Sequence, residues 1–143
     1  MKKPLILAFL VFICLNLSAQ EKYLKDVSQT QELSKKIVGL FNDNEISNAF
    51  QELTLYWPIP QNEINALEEK TIKYLNLINE RFGKSIGTLK VKNETIADVA
   101  VRETYLIRYE NTAIRLIFTY YKNDSGWIVN AFEWDDSFAA EFK

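Results

Sequence analysis

The chemistry open to this chain is narrow. It has no histidine, and its only cysteine and methionine are Cys14 and Met1. Ser-His-Asp and Cys-His nucleophilic arrangements are therefore impossible, and the usual tetrahedral zinc sites lose their ligands. Gly83-Lys84-Ser85 lacks the upstream glycine of a phosphate-binding loop, and no cofactor motif is present. Carboxylate, tyrosine and lysine chemistry is what is left. Glu103 is the one acid set among aromatic residues. A carboxylate desolvated there would titrate high and could act as a general base, with Tyr105 or Tyr120 donating to a developing oxyanion. The plainer reading is an ion pair with Lys92 on the neighbouring strand, worth a few tenths to about 1 kcal/mol. Tyr105, Phe118 and Tyr120 offer a ligand an aromatic wall, Asn130 a hydrogen-bonding amide, and Trp57 a lid. Each has a structural alternative as core, satisfied backbone or corner.

Other polar groupings carry less. Asp135-Asp136 could hold a hard cation through oxygens, although adjacent acids at a strand end are usually solvated. Arg102, Arg108 and Arg115 could meet an acidic partner, but Arg108 and Arg115 are expected to face each other, with Glu133 relieving the repulsion. Asn93-Glu94-Thr95 and Asn123-Asp124-Ser125 are glycosylation sequons, relevant only in a eukaryotic secretory pathway.

The elements that must position these residues follow from composition and period. The chain has 143 residues, 48% apolar and 25% charged, which excludes a disordered coil. A formal charge of −2 gives no polybasic footprint for nucleic acid. Lys2 and Lys3 precede an apolar run from Leu5 to Leu15, and Ser18-Ala19 follows. This is the pattern of a secretory signal peptide over residues 1–19, cleaved after Ala19. The run is too short to span a bilayer, so no membrane attachment is expected after cleavage. The expected product, residues 20–143, is one domain, secreted or periplasmic. It has no thiol and hence no disulfide framework.

Leu24, Val27, Leu33, Ile37, Leu40 and Phe41 fall at helical spacing, with Ser28 or Thr30 as caps. Ile46, Ala49, Phe50 and Leu53 make a second amphipathic stretch, ended by Trp57-Pro58-Ile59-Pro60. Ile64, Leu67, Thr71, Leu75, Ile78 and Phe82 make a third, with Gly83 as its stop. The period then changes to two, and strands are expected near 86–96, 99–109, 113–122 and 127–135. Connections this short make the neighbours antiparallel. The fold class is α+β, three N-terminal helices packed on a curved four-stranded antiparallel meander.

A two-residue loop at Asn111-Thr112 would set Tyr109 opposite Ile114, Tyr105 opposite Phe118 and Glu103 opposite Tyr120. One at Ala97-Asp98 would set Lys92 opposite Glu103. The helix-facing side then carries Tyr105, Ile107, Tyr109, Ile114, Leu116, Phe118, Tyr120, Phe132 and Trp134, with Ile128 and Asn130 if the last hairpin is symmetric. The other side carries Leu89, Val91, Leu106, Ile117, Val129 and Ala131. A face open to water should be polar, so this one is expected either to pair two copies in a homodimer or to lie under the C-terminal Phe138–Phe142 segment.

This layout, with Gly126-Trp127-Ile128-Val129-Asn130-Ala131-Phe132-Glu133-Trp134 opening the last strand, resembles the nuclear transport factor 2-like superfamily. That superfamily includes the ketosteroid isomerases and SnoaL-like proteins, cystatin-like α+β cones. The resemblance implies helices wrapped on a curved sheet with a pocket between them. It also implies a strand between the early helices, for which Leu55 to Ile59 is the candidate. The isomerase acid–base pattern has no counterpart here. The sequence points to an exported non-enzymatic domain binding a small molecule or protein partner through its sheet–helix cavity or open sheet face. A cofactor-free isomerase or hydratase using Glu103, and a ligand-free dimerisation module, are the alternatives.

Overall fold

Asp26 starts the first helix: its carboxylate accepts from the Gln29 backbone N–H at 2.9 Å, satisfying one of the four free amides of a helix start. In the computed structural model, which describes residues 22–142, Asp26 therefore takes the cap expected of Ser28 or Thr30. Thr30 instead donates to the Val27 carbonyl. α1 (Val27–Asn42) is followed by α2 (Ile46–Thr54) and α3 (Gln61–Phe82), then β1 (Ser85–Ile96), β2 (Ala100–Tyr109), β3 (Ala113–Asn123) and β4 (Gly126–Asp135). A short 3₁₀ turn, Phe138–Glu141, closes the chain. The sheet is an open antiparallel meander in the order β1-β2-β3-β4. The expected signal peptide lies outside the described residues. No strand forms at 55–59 among the described residues; Tyr56 there donates to the Leu53 carbonyl at the end of α2 and accepts from Val129 of β4.

α3 stops at Gly83, whose φ of 83° is left-handed. A Cβ at this position would come within 2.6 Å of the Glu110 carboxylate, so glycine answers both demands. α1 lies across the inner face of β1, β2 and β3, and α2 packs on α1. α3 rests mainly on α2 rather than on the sheet. The core between α1, α2 and the sheet is aromatic. Phe132 makes ring contacts with Phe41, Phe50, Trp57 and Phe118 at 5.1–6.4 Å between centroids.

Apart from a slip between Ser85 and Gly87 at the start of β1, the register differs from expectation in three places, each with a local cause. Tyr109 donates to the Thr112 carbonyl, so the loop is Glu110-Asn111 and the pairs are Ile107–Ile114, Tyr105–Leu116 and Glu103–Phe118. A shift of this size keeps every side chain on its face. Arg108 consequently lies opposite Ala113, and Arg115 opposite Leu106. The first loop holds three residues, Ala97-Asp98-Val99, and a bulge between Lys90 and Lys92 absorbs the extra one. Lys92 thereby pairs with Thr104, on the outer face, while Lys90 pairs with Tyr105 on the inner face.

The third difference changes the face of three residues. Ile128, expected inside, pairs with the exposed Tyr121 on the outer side and is only half-buried. A bulge at Asn130 separates the pair Tyr120–Val129 from the pair Thr119–Ala131. Val129 turns inward and is fully buried, so it is not part of the outer apolar patch. Asn130 is exposed and is not in the sheet–helix interior. A bulge flips the alternation of a strand, which no pattern of period two anticipates.

The outer face carries the chain's own C-terminal segment. Glu141 reaches Lys92 on β1 and Arg115 on β3 (2.6 Å), and Arg115 also grips Asp135 through two bonds of 2.8 and 2.6 Å. Thr104, between them on β2, is buried. Leu89 stays about half exposed.

Candidate functional site

Five of the six residues expected to contact a ligand converge inside the molecule. Glu103, Tyr105, Phe118 and Tyr120 come from adjacent inner positions of β2 and β3, and Trp57 from the corner after α2. All five are buried. Phe118 meets Tyr105 edge-on at 5.9 Å and stacks on Tyr120 at 6.5 Å. The Tyr120 hydroxyl and Ser34 of α1 share a hydrogen bond of 2.7 Å. Together they fill the interior with their own rings.

Glu103 is fully buried, and one of its oxygens is paired with the Lys90 ammonium rather than with Lys92. Lys90 also lies 5.6 Å from the centre of the Tyr105 ring. The second Glu103 oxygen and the Tyr105 hydroxyl have no hydrogen-bond partner among the described residues. Burial, and then the Glu103 charge, hold the Tyr105 phenol well above its ordinary range. Burial does the same for Tyr120, partly offset by the Ser34 hydrogen bond. Both phenols are therefore protonated at neutral pH. A general base must reach the proton it abstracts, and here the carboxylate is held by Lys90 and walled in by Phe118.

The opening lies elsewhere. Because α3 stands off the sheet, a groove of about 940 Å³ runs between it and β4, within the size range of ligand pockets. None of the six residues expected from the sequence lines it. Its helix wall is Leu67, Thr71, Tyr74, Leu77 and Ile78, and its sheet wall is Phe132 and Trp134. Trp134 is fixed there: its indole N–H donates to the Thr71 hydroxyl at 2.9 Å, and Tyr74 meets its ring edge-on at 6.4 Å. Leu67, Tyr74 and Leu77 are each 40–46% exposed, a contiguous apolar stripe open to water.

Charges sit on both lips. Lys70 and Arg81 belong to α3, Glu133 and Asp135 to β4, and Asp136 to the bend that follows it. Asp135 is taken by Arg115. Lys70 and Arg81 lie against Tyr74 and Phe82, at 6.0 and 5.2 Å from the ring centres. Among the described residues, no cluster of three His, Cys, Asp or Glu could hold a metal ion.

The sequence did hold a signal for this groove. Leu67, Tyr74 and Leu77 repeat at seven and three residues, a second apolar stripe beside the Ile64–Thr71–Leu75 stripe that is buried. Two stripes on one helix demand either two packing partners or one partner and an open face. Comparison with family models, curated proteins and solved structures finds no match to this chain.

Proposed function

We propose that this chain is an exported, non-catalytic binding domain whose ligand seats in the α3–β4 groove. The observation that carries the reading is the fixed aromatic wall of an otherwise open groove. Trp134 is locked by Thr71 and flanked by Tyr74, yet the apolar stripe facing the same space has no cover among the described residues. Surfaces of this kind mark interaction sites more often than they mark idle exterior. The catalytic alternative has less support, because Glu103 is enclosed and paired. The order of helices and strands supports a relationship to nuclear transport factor 2-like proteins, but the groove lies outside the sheet–helix interior where that resemblance would put a pocket.

The groove is tested with the anionic aromatic dye 8-anilinonaphthalene-1-sulfonate, in a Trp57→Phe, Trp127→Phe background where Trp134 is the only indole. Energy transfer from Trp134 to the dye is the expected result, with loss of transfer in Leu77→Glu. Equal dye emission in that variant and in its parent would remove the groove as the site. Export is supported by the charged start and apolar run of residues 2–15. It predicts an intact mass beginning at Gln20 for protein recovered outside the cytoplasm, and a species retaining Lys2 and Lys3 would refute it.

A further inference from the structure

The free edge of β4 borders the groove, and its main-chain groups can be located from the pairing. Tyr109 donates to Thr112 across the β2–β3 hairpin, so the residues paired in step with it, including Leu116 and Phe118, exchange their main-chain hydrogen bonds with β2. In an antiparallel sheet, residues that bond to one side are non-bonded to the other. Phe132 and Trp134, which lie opposite Phe118 and Leu116, therefore direct their N–H and C=O groups away from β3. They point along the open edge beside the groove. No backbone partner for these groups occurs among the described residues.

The same edge is already extended by added chain further up. Leu24 and Trp127 exchange two backbone hydrogen bonds of 2.8 Å each, as an antiparallel bridge, and Val129 donates to the Tyr56 carbonyl at 2.9 Å. The Leu24 bridge shows that the edge accepts antiparallel pairing from an added segment, and the Phe132–Trp134 stretch continues that edge. An aromatic helix face opposite an unpaired strand edge is the arrangement that recognises extended peptides by strand addition.

Charge narrows the occupant. Lys70 and Arg81 stand three turns apart on α3, about 16 Å along its axis. An extended chain covers that distance in about five residues. Neither cation has a carboxylate partner among the described residues.

We propose that the groove's ligand is an extended polypeptide segment that adds to the β4 edge at Phe132 and Trp134. Its alternate apolar side chains lie against Leu67, Tyr74 and Leu77, and acidic side chains about five residues apart meet Lys70 and Arg81. This rests on the groove being the binding site.

The test pans a displayed library of random peptides against the folded protein and resynthesises the enriched sequences. The expected peptides alternate apolar residues and carry acids at that spacing. On binding they slow amide exchange at Phe132 and Trp134. N-methylation at every second peptide residue abolishes binding in one register and spares it in the other. Lys70→Glu with Arg81→Glu weakens binding by about tenfold, as reversal of two exposed charges should. Failure to enrich any peptide, or a bound peptide that leaves Phe132 and Trp134 exchange unchanged, overturns the proposal. If the dye still binds beside Trp134 in that case, the groove stands as a site and only its peptide ligand is lost.

Discussion

Lys90→Met should be the most damaging single charge removal in this protein. Glu103 is fully buried, and the Lys90 ammonium is the partner of one oxygen while the other oxygen has none among the described residues. Removing Lys90 leaves an uncompensated carboxylate inside an aromatic core. Losing one member of a buried pair typically costs about 3–5 kcal/mol. Lys90 is itself 31% exposed, so the low end, about 3 kcal/mol, applies here. Glu103→Leu should be milder, about 1 kcal/mol, because Lys90 can turn to water once its partner is gone. The double variant replaces the pair by apolar groups and should lie within about 1 kcal/mol of the parent. The cycle then yields a coupling of about 3 kcal/mol. Equilibrium urea unfolding read by tryptophan fluorescence measures it, with an unchanged denaturant slope confirming that the native state alone is affected. In a thermal scan Lys90→Met should lower Tm by roughly 10 °C for a domain of this size. Lys92→Met is the control: its partner is Glu141, so it should show no coupling to Glu103. A loss below about 1 kcal/mol for Lys90→Met, or additive losses around the cycle, would refute the claim that the pair carries a desolvation penalty.

The C-terminal latch should be acid-sensitive. Hydrogen bonds from Arg115, for Asp135, and from Lys92 and Arg115, for Glu141, hold both carboxyls below their ordinary values of 3.8 and 4.5. The stability they add is present above those values and is lost as pH falls through the lower folded ones; Arg115→Met should flatten that acid limb, and an unchanged limb would disprove the assignment. Leu106 and Ile117 are half-buried on the face that the latch crosses, beside the exposed Leu89, and release of the latch is expected to expose them further. A chain ending at Asp136 should then self-associate in sedimentation runs where the full chain does not, and equal behaviour of the two would show that the tail does not mask a pairing face. Gly126→Ala should cost about 2 kcal/mol or more, since Gly126 has φ 145° and a Cβ there would come within 2.7 Å of the Leu24 carbonyl. Faster amide exchange at Leu24 and Trp127 would accompany the loss, and a cost under about 0.5 kcal/mol would show that the bridge adapts.

Hydrophobic period and punctuation were enough to read the three helices, the four antiparallel strands and nearly all of the inner face from the sequence. They are local properties: Gly83 stops α3 because of its own φ, and Tyr105, Phe118 and Phe132 face inward because every second residue of a strand must. The Glu110-Asn111 loop illustrates the tolerance of such patterns, since moving a hairpin loop by one residue shifts the pairing by two and leaves each side chain on its side. The bulges at Lys90–Lys92 and Asn130 lie beyond that reach. They exchanged Lys92 for Lys90 as the partner of Glu103, buried Val129 and exposed Asn130, because one inserted residue inverts the alternation without altering composition. The groove was decided entirely by packing. Trp134 and Tyr74 are far apart in sequence, and whether α3 would close on the sheet or stand away from it depended on how α1 and α2 filled the inner face. Once Phe41, Phe50 and Trp57 had taken the space above Phe132, no room was left on the sheet for α3, and its second apolar stripe stayed open along the edge of β4.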